Sequence, residues 1–425
     1  MKFVITGTNL YLAILPLVLL PLVRKLFSSN FFDAFALIFV AQSVIMLAEV
    51  GLTNVLVKLI GDVRKNVRGA HYLYTFTLFV LIYILSICVI LVVIRFTILP
   101  NFLVIQNHYK DFIILLIFIG CSRFVASIPR IVLYGYDIIL STSTCIIIIS
   151  SLRYLLPIVL LWLNVVTEDR FFVVYLYLSL IEVFCLFCIL LLNNETKHIF
   201  KTKQNYLSDL RDLMRTYWKV ALFTALPSFM WIVTQQADKA FQLTSEGISG
   251  SGMIVSISGL ASGILLLVNS INAAYIPKLV ALETLSKTQI SLLKNLVIVL
   301  GFIVTVFFVT TVTTASEILA FWFNDSQISN KYSELLVLYT IYFSILSLGT
   351  FFYIYFFLTD LLRYHLLVNV LHTLGVCGIF FMATSITEYM RLLCLNAAIC
   401  FSISFALYFG SRSKYHTSEV TKHEI

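Results

Sequence analysis

Long, uninterrupted apolar runs recur along the whole chain, and each is close to the length that a helix needs to cross a bilayer. The hydrocarbon core of a membrane is about 30 Å thick, which takes about 20 apolar residues of helix. About twelve such runs are present, at 5–23, 34–56, 72–94, 112–133, 138–163, 171–192, 220–237, 253–276, 296–315, 335–358, 366–386 and 392–409. Their pattern predicts an all-α integral membrane protein with about 12 transmembrane helices.

The composition excludes a water-soluble fold. Hydrophobic residues make up 60% of the chain and charged residues 12%, whereas soluble domains are about 45–50% apolar and about 25% charged. The surplus apolar surface is expected to face lipid. The net charge of +8 lies in short connections between the runs, so it indicates membrane topology and not a nucleic-acid partner.

The connections predict how the chain is divided. Lys and Arg concentrate in the connections that face the cytoplasm when the N-terminus lies there, as at Arg64 and Lys65, so both termini are expected to be cytoplasmic. The longest connection, 194–219, carries apolar residues at helical spacing between charged ones and is expected to lie at the inner interface. It would join an N-terminal six-helix bundle, 1–193, to a C-terminal one, 220–425, with a short cytoplasmic tail, around a central cavity.

Charged residues inside predicted spans are the candidates for function. Each costs about 2.5–3.5 kcal/mol at bilayer depth by insertion scales, so each needs a partner or a hydrated cavity. The deepest are Glu49, Arg123, Arg153 and Glu182, and most of them belong to the first bundle. Arg123 and Arg130 are seven residues apart and share one helix face. The predicted cavity is therefore cationic and lined mainly by the first bundle.

A phosphate or pyrophosphate group suits such a cavity, because the guanidinium group of arginine offers it two donors in a rigid fork. Arg153 is followed by Tyr154, which places a guanidinium and a phenol together. The candidate substrate-binding residues are Arg123, Arg153, Tyr154, Arg130, Arg24 and Lys239, and the candidate ion-coupling residues are Glu49, Glu182 and Asp238. In the alternative interpretation, Arg153 forms a structural ion pair with Glu182 or Glu49.

Two further patterns limit the chemistry. Gly259 and Gly263 form a GxxxG motif in the eighth span, which predicts close helix packing or, alternatively, a flexible segment lining the cavity. No P-loop, HExxH or GxSxG motif is present. The chain is therefore expected not to be an enzyme and to need no cofactor or metal.

The segment around the seventh and eighth spans resembles the O-antigen and polysaccharide flippases (Wzx-type) of the multidrug/oligosaccharidyl-lipid/polysaccharide exporter superfamily. The resemblance is carried by a helix that ends in Asp-Lys, a glycine turn, a small-residue helix and a Pro-Lys-Leu end. Its residues are Thr234 to Lys239, Gly250, Gly259, Gly263 and Pro277 to Leu279, with Ala48 to Leu52 and Arg64-Lys65 in the first half. Two features depart from the family pattern: Glu49 replaces its usual Asp, and its Gly-Tyr-Tyr is absent.

The resemblance implies a function in lipopolysaccharide or other surface polysaccharide biosynthesis. A two-lobed protein in the bacterial cytoplasmic (inner) membrane would flip an undecaprenyl-pyrophosphate-linked oligosaccharide from the inner to the outer leaflet by alternating access. Arg123 and Arg153 would hold the pyrophosphate. Coupling to an ion gradient is one way in which such a flippase would be driven. Membrane lipids and other polysaccharide assembly proteins would be the partners.

Two other functions remain open at the level of sequence. A multidrug or small-molecule exporter of the same superfamily would share the layout, although a cationic first bundle favours an anionic substrate. A polysaccharide polymerase would need a sizeable outer loop for its catalytic residues, and the predicted outer loops are short.

Overall fold

A computed structural model describes residues 2–47, 52, 55–56, 59–60, 70–97, 110–193, 195–196, 206–245, 247, 250–280, 286–359 and 361–423. These residues form α-helices joined by short connections, with no strand among them. The predicted all-α fold class is confirmed.

The helices are numbered in chain order over the described residues. They are α1 (Lys2–Leu26), α2 (Ser29–Leu47), α3 (Ala70–Thr97), α4 (Lys110–Gly135), α5 (Ile139–Trp162), α6 (Glu168–Leu192), α7 (Tyr206–Ser245), α8 (Ser251–Val280), α9 (Lys287–Thr313), α10 (Ala315–Phe323), α11 (Ser326–Leu358), α12 (Leu362–Met382) and α13 (Ile386–His423). Nine of them, α3 to α6, α8, α9 and α11 to α13, contain described segments that are long and apolar enough to cross a membrane. The short helix α10 was not predicted.

Helix α7 joins two elements that the sequence suggested were separate. It runs without interruption for 40 residues, Tyr206–Ser245, through the second part of the predicted linker and all of the seventh span. Residues 197–205 of that linker lie outside the described residues. The chain divides into two compact units, residues 1–232 with 246–252 and residues 233–245 with 253–425, so the division falls within α7. The predicted boundaries at 193 and 219 stay a prediction.

In the first unit, α4 is the central helix. It packs against α2, α3, α5 and α6. In the apolar stretch that is long enough to cross a membrane, 56% of the residues of α4 are buried, compared with 28% of those of α3. Phe124, Ile128 and Leu133 on α4 are almost completely buried in the core of this unit. More than half of this segment of α4 is buried, so α4 can carry polar groups that face protein and not lipid.

The second unit is organised in the same way around α11, which packs against α9, α10, α12 and α13. Half of the residues in the apolar stretch of α11 are buried, compared with 11% of those in α12. Phe352 and Tyr355 of α11 contact Phe401 and Tyr408 of α13, with ring centroids 4.5–6.0 Å apart. The outer helices carry exposed aromatic residues such as Phe302 and Phe381, as expected for surfaces in contact with lipid.

A buried carboxylate in the first unit binds the backbone at the start of α8. Asp33 of α2 accepts a hydrogen bond from the backbone N–H of Gly250 at 3.0 Å and another from that of Gly252 at 2.8 Å. Gly250 has a φ of 78°, and a Cβ on Gly252 would lie 2.6 Å from the Phe32 ring. Both positions therefore require glycine, one for its backbone conformation and one for space.

Among the described residues, none packs closely against the second glycine of the GxxxG motif in α8, contrary to the prediction. A Cβ added to Gly263 would meet no described atom within 4 Å. The prediction of close packing rested on the spacing of the two glycines alone. Close approach also requires a second backbone on that face of the helix.

Gly375 and Gly378 of α12 offer a matched test of the packing between α12 and α13. A Cβ on Gly375 would lie 2.3 Å from Oδ1 of Asn396, whereas a Cβ on Gly378 would meet nothing within 4 Å. Asn396 cannot easily move, because its Nδ2 donates to Nδ1 and to the carbonyl of His372, at 2.9 and 3.0 Å. We expect Gly375→Ala to destabilise the protein by about 1–3 kcal/mol through overpacking. Thermal unfolding of the purified protein measures this, and an equal midpoint for Gly378→Ala and Gly375→Ala would contradict it.

Candidate functional site

A cavity of about 260 Å³ lies within the first unit, between α2, α4 and α6. Its lining residues are Gln42, Ser43, Arg123, Ala126, Ser127, Arg130 and Glu182. Arg123 and Arg130 both reach it, since their spacing of seven residues places them on the same face of α4. Two of the predicted substrate-binding cations therefore meet in one cavity.

The Glu182 carboxylate on α6 is the anionic centre of this site. It is 2% exposed, and its Oε2 accepts a hydrogen bond from Nη1 of Arg123 at 2.5 Å. Nη1 of Arg153, on α5, donates to the same oxygen. Three helices thus supply one carboxylate and two guanidinium groups, which leaves one positive charge in excess.

Arg153 is not among the residues that line the cavity. Its side chain is 1% exposed, and its guanidinium carbon lies 5.1 Å from the ring centroid of Tyr154 and 5.5 Å from that of Tyr175. Nη2 also lies 3.3 Å from Oγ of Ser150, to which it donates. These contacts match the ion pair with Glu182 that the sequence left open as the alternative, and a direct contact of Arg153 or Tyr154 with substrate stays a prediction.

The structure adds polar residues that the sequence analysis did not select. Gln42 and Ser43 of α2 and Ser127 of α4 line the cavity. The Gln42 amide also donates to the Tyr175 hydroxyl at 3.2 Å, so it links the cavity to the tyrosines around Arg153. The adjacent polar pair Gln42-Ser43 within an apolar run was a detectable signal, whereas nothing in the sequence distinguished Tyr175 from the other tyrosines.

Asp238 and Lys239 lie in the second unit and form an ion pair with each other. Nζ of Lys239 is 3.0 Å from Oδ1 of Asp238 and donates to the carbonyl of Gln235 at 2.8 Å. The Tyr339 hydroxyl of α11 donates to the other carboxylate oxygen of Asp238. Both charged residues are buried, so the pair is electrically neutral within its unit. Substrate binding by Lys239 and ion coupling by Asp238 stay predictions.

The remaining candidates lie elsewhere. Arg24 lies in the last turn of α1 with its guanidinium carbon 5.9 Å from the ring centroid of Phe32, and it does not line the cavity of Arg123 and Arg130. Glu49 lies outside the described residues. Of the two predicted ion-coupling carboxylates that the structure describes, Glu182 lines this cavity and Asp238 does not; the coupling role of Glu182 stays a prediction.

The arrangement suits an anion that carries several oxygens. Arg123 and Arg130 supply positive charge, while the Gln42 amide and the hydroxyls of Ser43 and Ser127 supply neutral donors. A phosphate or pyrophosphate group accepts hydrogen bonds from all of these donor types. A cationic ligand would instead lie beside the guanidinium groups of Arg123 and Arg130, which repel it.

No family model matches the sequence, and no curated protein matches it either. Solved structures match over nearly the whole chain. A multidrug resistance MATE family transporter of the MOP superfamily, in an inward-facing conformation, aligns with a TM-score of 0.71 at 13% identity, over 96% of each chain. The lipid II flippase MurJ, in an inward closed conformation, aligns with a TM-score of 0.68 at 14% identity, over 94% of this chain and 86% of the flippase.

A third similar structure is a MOP superfamily transporter from Pyrococcus furiosus, with a TM-score of 0.52 at 12% identity over 96% of this chain and 95% of the transporter. At these identities the likeness defines the fold alone. It confirms the predicted fold of about 12 transmembrane helices, and the Wzx-type assignment stays a prediction. The chain has the fold that MATE transporters and the MurJ flippase of the MOP superfamily share.

Proposed function

We propose that this protein is a flippase for an undecaprenyl-pyrophosphate-linked oligosaccharide, such as an O-antigen or other surface polysaccharide unit, in a bacterial inner membrane. The single observation that carries the proposal is the cavity in which Arg123 and Arg130 lie beside neutral donors. In this proposal the pyrophosphate binds to those arginines, while the lipid tail stays in the bilayer. Alternating access would carry the head group from the inner to the outer leaflet.

The fold supports this proposal because one of the similar structures is the lipid II flippase MurJ, a protein that flips a lipid. The electrostatics support it because a buried arginine at membrane depth needs an anion for compensation. Among the described residues, Arg123 and Arg153 both donate to Glu182, so two guanidinium groups share one negative charge. An anionic head group would balance the excess.

We expect Arg123→Ala and Arg130→Ala each to reduce transport about ten- to hundredfold, because a hydrogen bond to a charged group contributes about 1.5–3 kcal/mol. The measurement is surface polysaccharide in a flippase-null strain that expresses each variant at matched protein levels. Arg391→Ala is the control, because Arg391 pairs with Glu334 on an exposed surface where both side chains are more than half exposed and such pairs contribute little. Full polysaccharide from both cavity variants would show that the arginines do not bind the substrate.

The site of lipid-linked intermediate accumulation tests the reaction class. In the strain without the protein, single lipid-linked units should accumulate in the inner leaflet, where they stay protected from a membrane-impermeant probe. Accumulation in the outer leaflet would instead indicate a polymerase, because flipping would then precede the missing step.

A multidrug exporter is the second candidate function, since a multidrug resistance transporter has the same fold over 96% of this chain. Expression in a strain that lacks its own exporters should leave resistance to cationic dyes and drugs unchanged, because the cavity repels cations. Minimum inhibitory concentrations measure this. A fourfold or greater rise that Arg123→Ala does not abolish would favour drug export over lipid flipping.

A further inference from the structure

Arg123 and Arg153 donate to the same oxygen of Glu182, but their surroundings differ. Arg153 is 1% exposed and lies between the rings of Tyr154 and Tyr175. The Arg123 side chain is 18% exposed and lines the cavity. One guanidinium group is thus enclosed by protein, and the other lies at the edge of a space that a ligand can enter.

The shared oxygen has an electrostatic consequence for Arg123. A buried carboxylate that loses its only cation is strongly destabilised, because neither water nor a second charge compensates it. Glu182 does not have that problem when Arg123 turns away, since Arg153 still donates to its Oε2. Arg123 is therefore the arginine that a ligand can remove from Glu182 at low electrostatic cost.

We propose that Arg153 is a positioning residue that permanently neutralises Glu182, and that Glu182 is an internal anion from which a phosphate or pyrophosphate group takes Arg123. The inference rests on the proposed function, because it concerns the same anion site. Glu182 then competes with the ligand for Arg123 and limits its affinity. A transporter needs such a limit, because a head group bound too tightly is not released on the other side of the membrane.

The competition predicts opposite effects for the two partners of the pair. In Glu182→Gln, Arg123 has no competing carboxylate, and we expect the anion to bind about tenfold more tightly. In Arg153→Met, Glu182 depends on Arg123 alone, and we expect binding to be at least about tenfold weaker. In the double variant Glu182→Gln, Arg153→Met, the carboxylate that needed Arg153 is absent, so the affinity should equal that of Glu182→Gln.

Calorimetric titration of the purified full-length protein in lipid nanodiscs with inorganic pyrophosphate, at low ionic strength, measures these affinities. Arg391→Ala should bind as the wild type does, because its ion pair is exposed and lies in the second unit. Rescue of Arg153→Met by the second substitution is the decisive observation, because a residue that touched the anion directly would not be rescued by the loss of Glu182.

Weaker binding by Glu182→Gln than by the wild type would overturn the proposal, since Glu182 would then hold Arg123 in place for the ligand. If Arg153→Met does not fold, the comparison of Glu182→Gln with the double variant decides, because the double variant has no unpaired carboxylate. A double variant that binds more weakly than Glu182→Gln would place Arg153 on the anion itself and overturn the inference. If the wild type and all variants bind pyrophosphate equally, the inference is overturned but the anion site stands. If neither the wild type nor any variant binds pyrophosphate, the proposed function is overturned as well.

Discussion

The first unit depends on the burial of one carboxylate. Glu182 is 2% exposed, and an isolated carboxylate at membrane depth has neither water nor lipid groups to compensate its charge. Arginines from two neighbouring helices provide that compensation, so one oxygen atom connects α4, α5 and α6. The shared oxygen is one constraint on how these three helices are rotated about their axes. Because Arg130 is seven residues from Arg123, it lies on the same face of α4 and also reaches the cavity.

The two units treat their buried charges differently. In the second unit, the neighbours Asp238 and Lys239 compensate each other locally as an ion pair, and the Tyr339 hydroxyl donates to the other carboxylate oxygen of Asp238. In the first unit, the described charges around Glu182 come from separate helices, and two guanidinium groups share one carboxylate beside a cavity. A neutral pair stabilises its own surroundings, whereas an excess charge attracts a counterion. The first unit is accordingly the one in which we place substrate recognition.

Much of the helical layout could be predicted because apolar length is a local property. Each predicted span lies at least partly on a helix where the structure describes it, and Arg123 and Arg130 share a face because helical periodicity requires it. Other features were not predictable in this way. Whether α7 ends or continues through the linker depends on the tertiary contacts around it. Whether another backbone packs against Gly263 depends on where the other helices lie. Gln42 lines the cavity and donates to the Tyr175 hydroxyl. This double role depends on how α2 packs against its neighbours, which the sequence does not show.

By itself, the sequence determined that the chain forms membrane-spanning helices and that most of its costly charges lie in the first half. Both conclusions follow from the transfer free energies of single residues, which can be read position by position along the chain. Only the tertiary structure decided that Glu182 joins Arg123 to Arg153, that Arg123 faces the cavity and that Arg153 does not. Those pairings depend on the rotation and depth of three helices relative to one another. The packing of all their side chains together determines that arrangement, and no local pattern contains it.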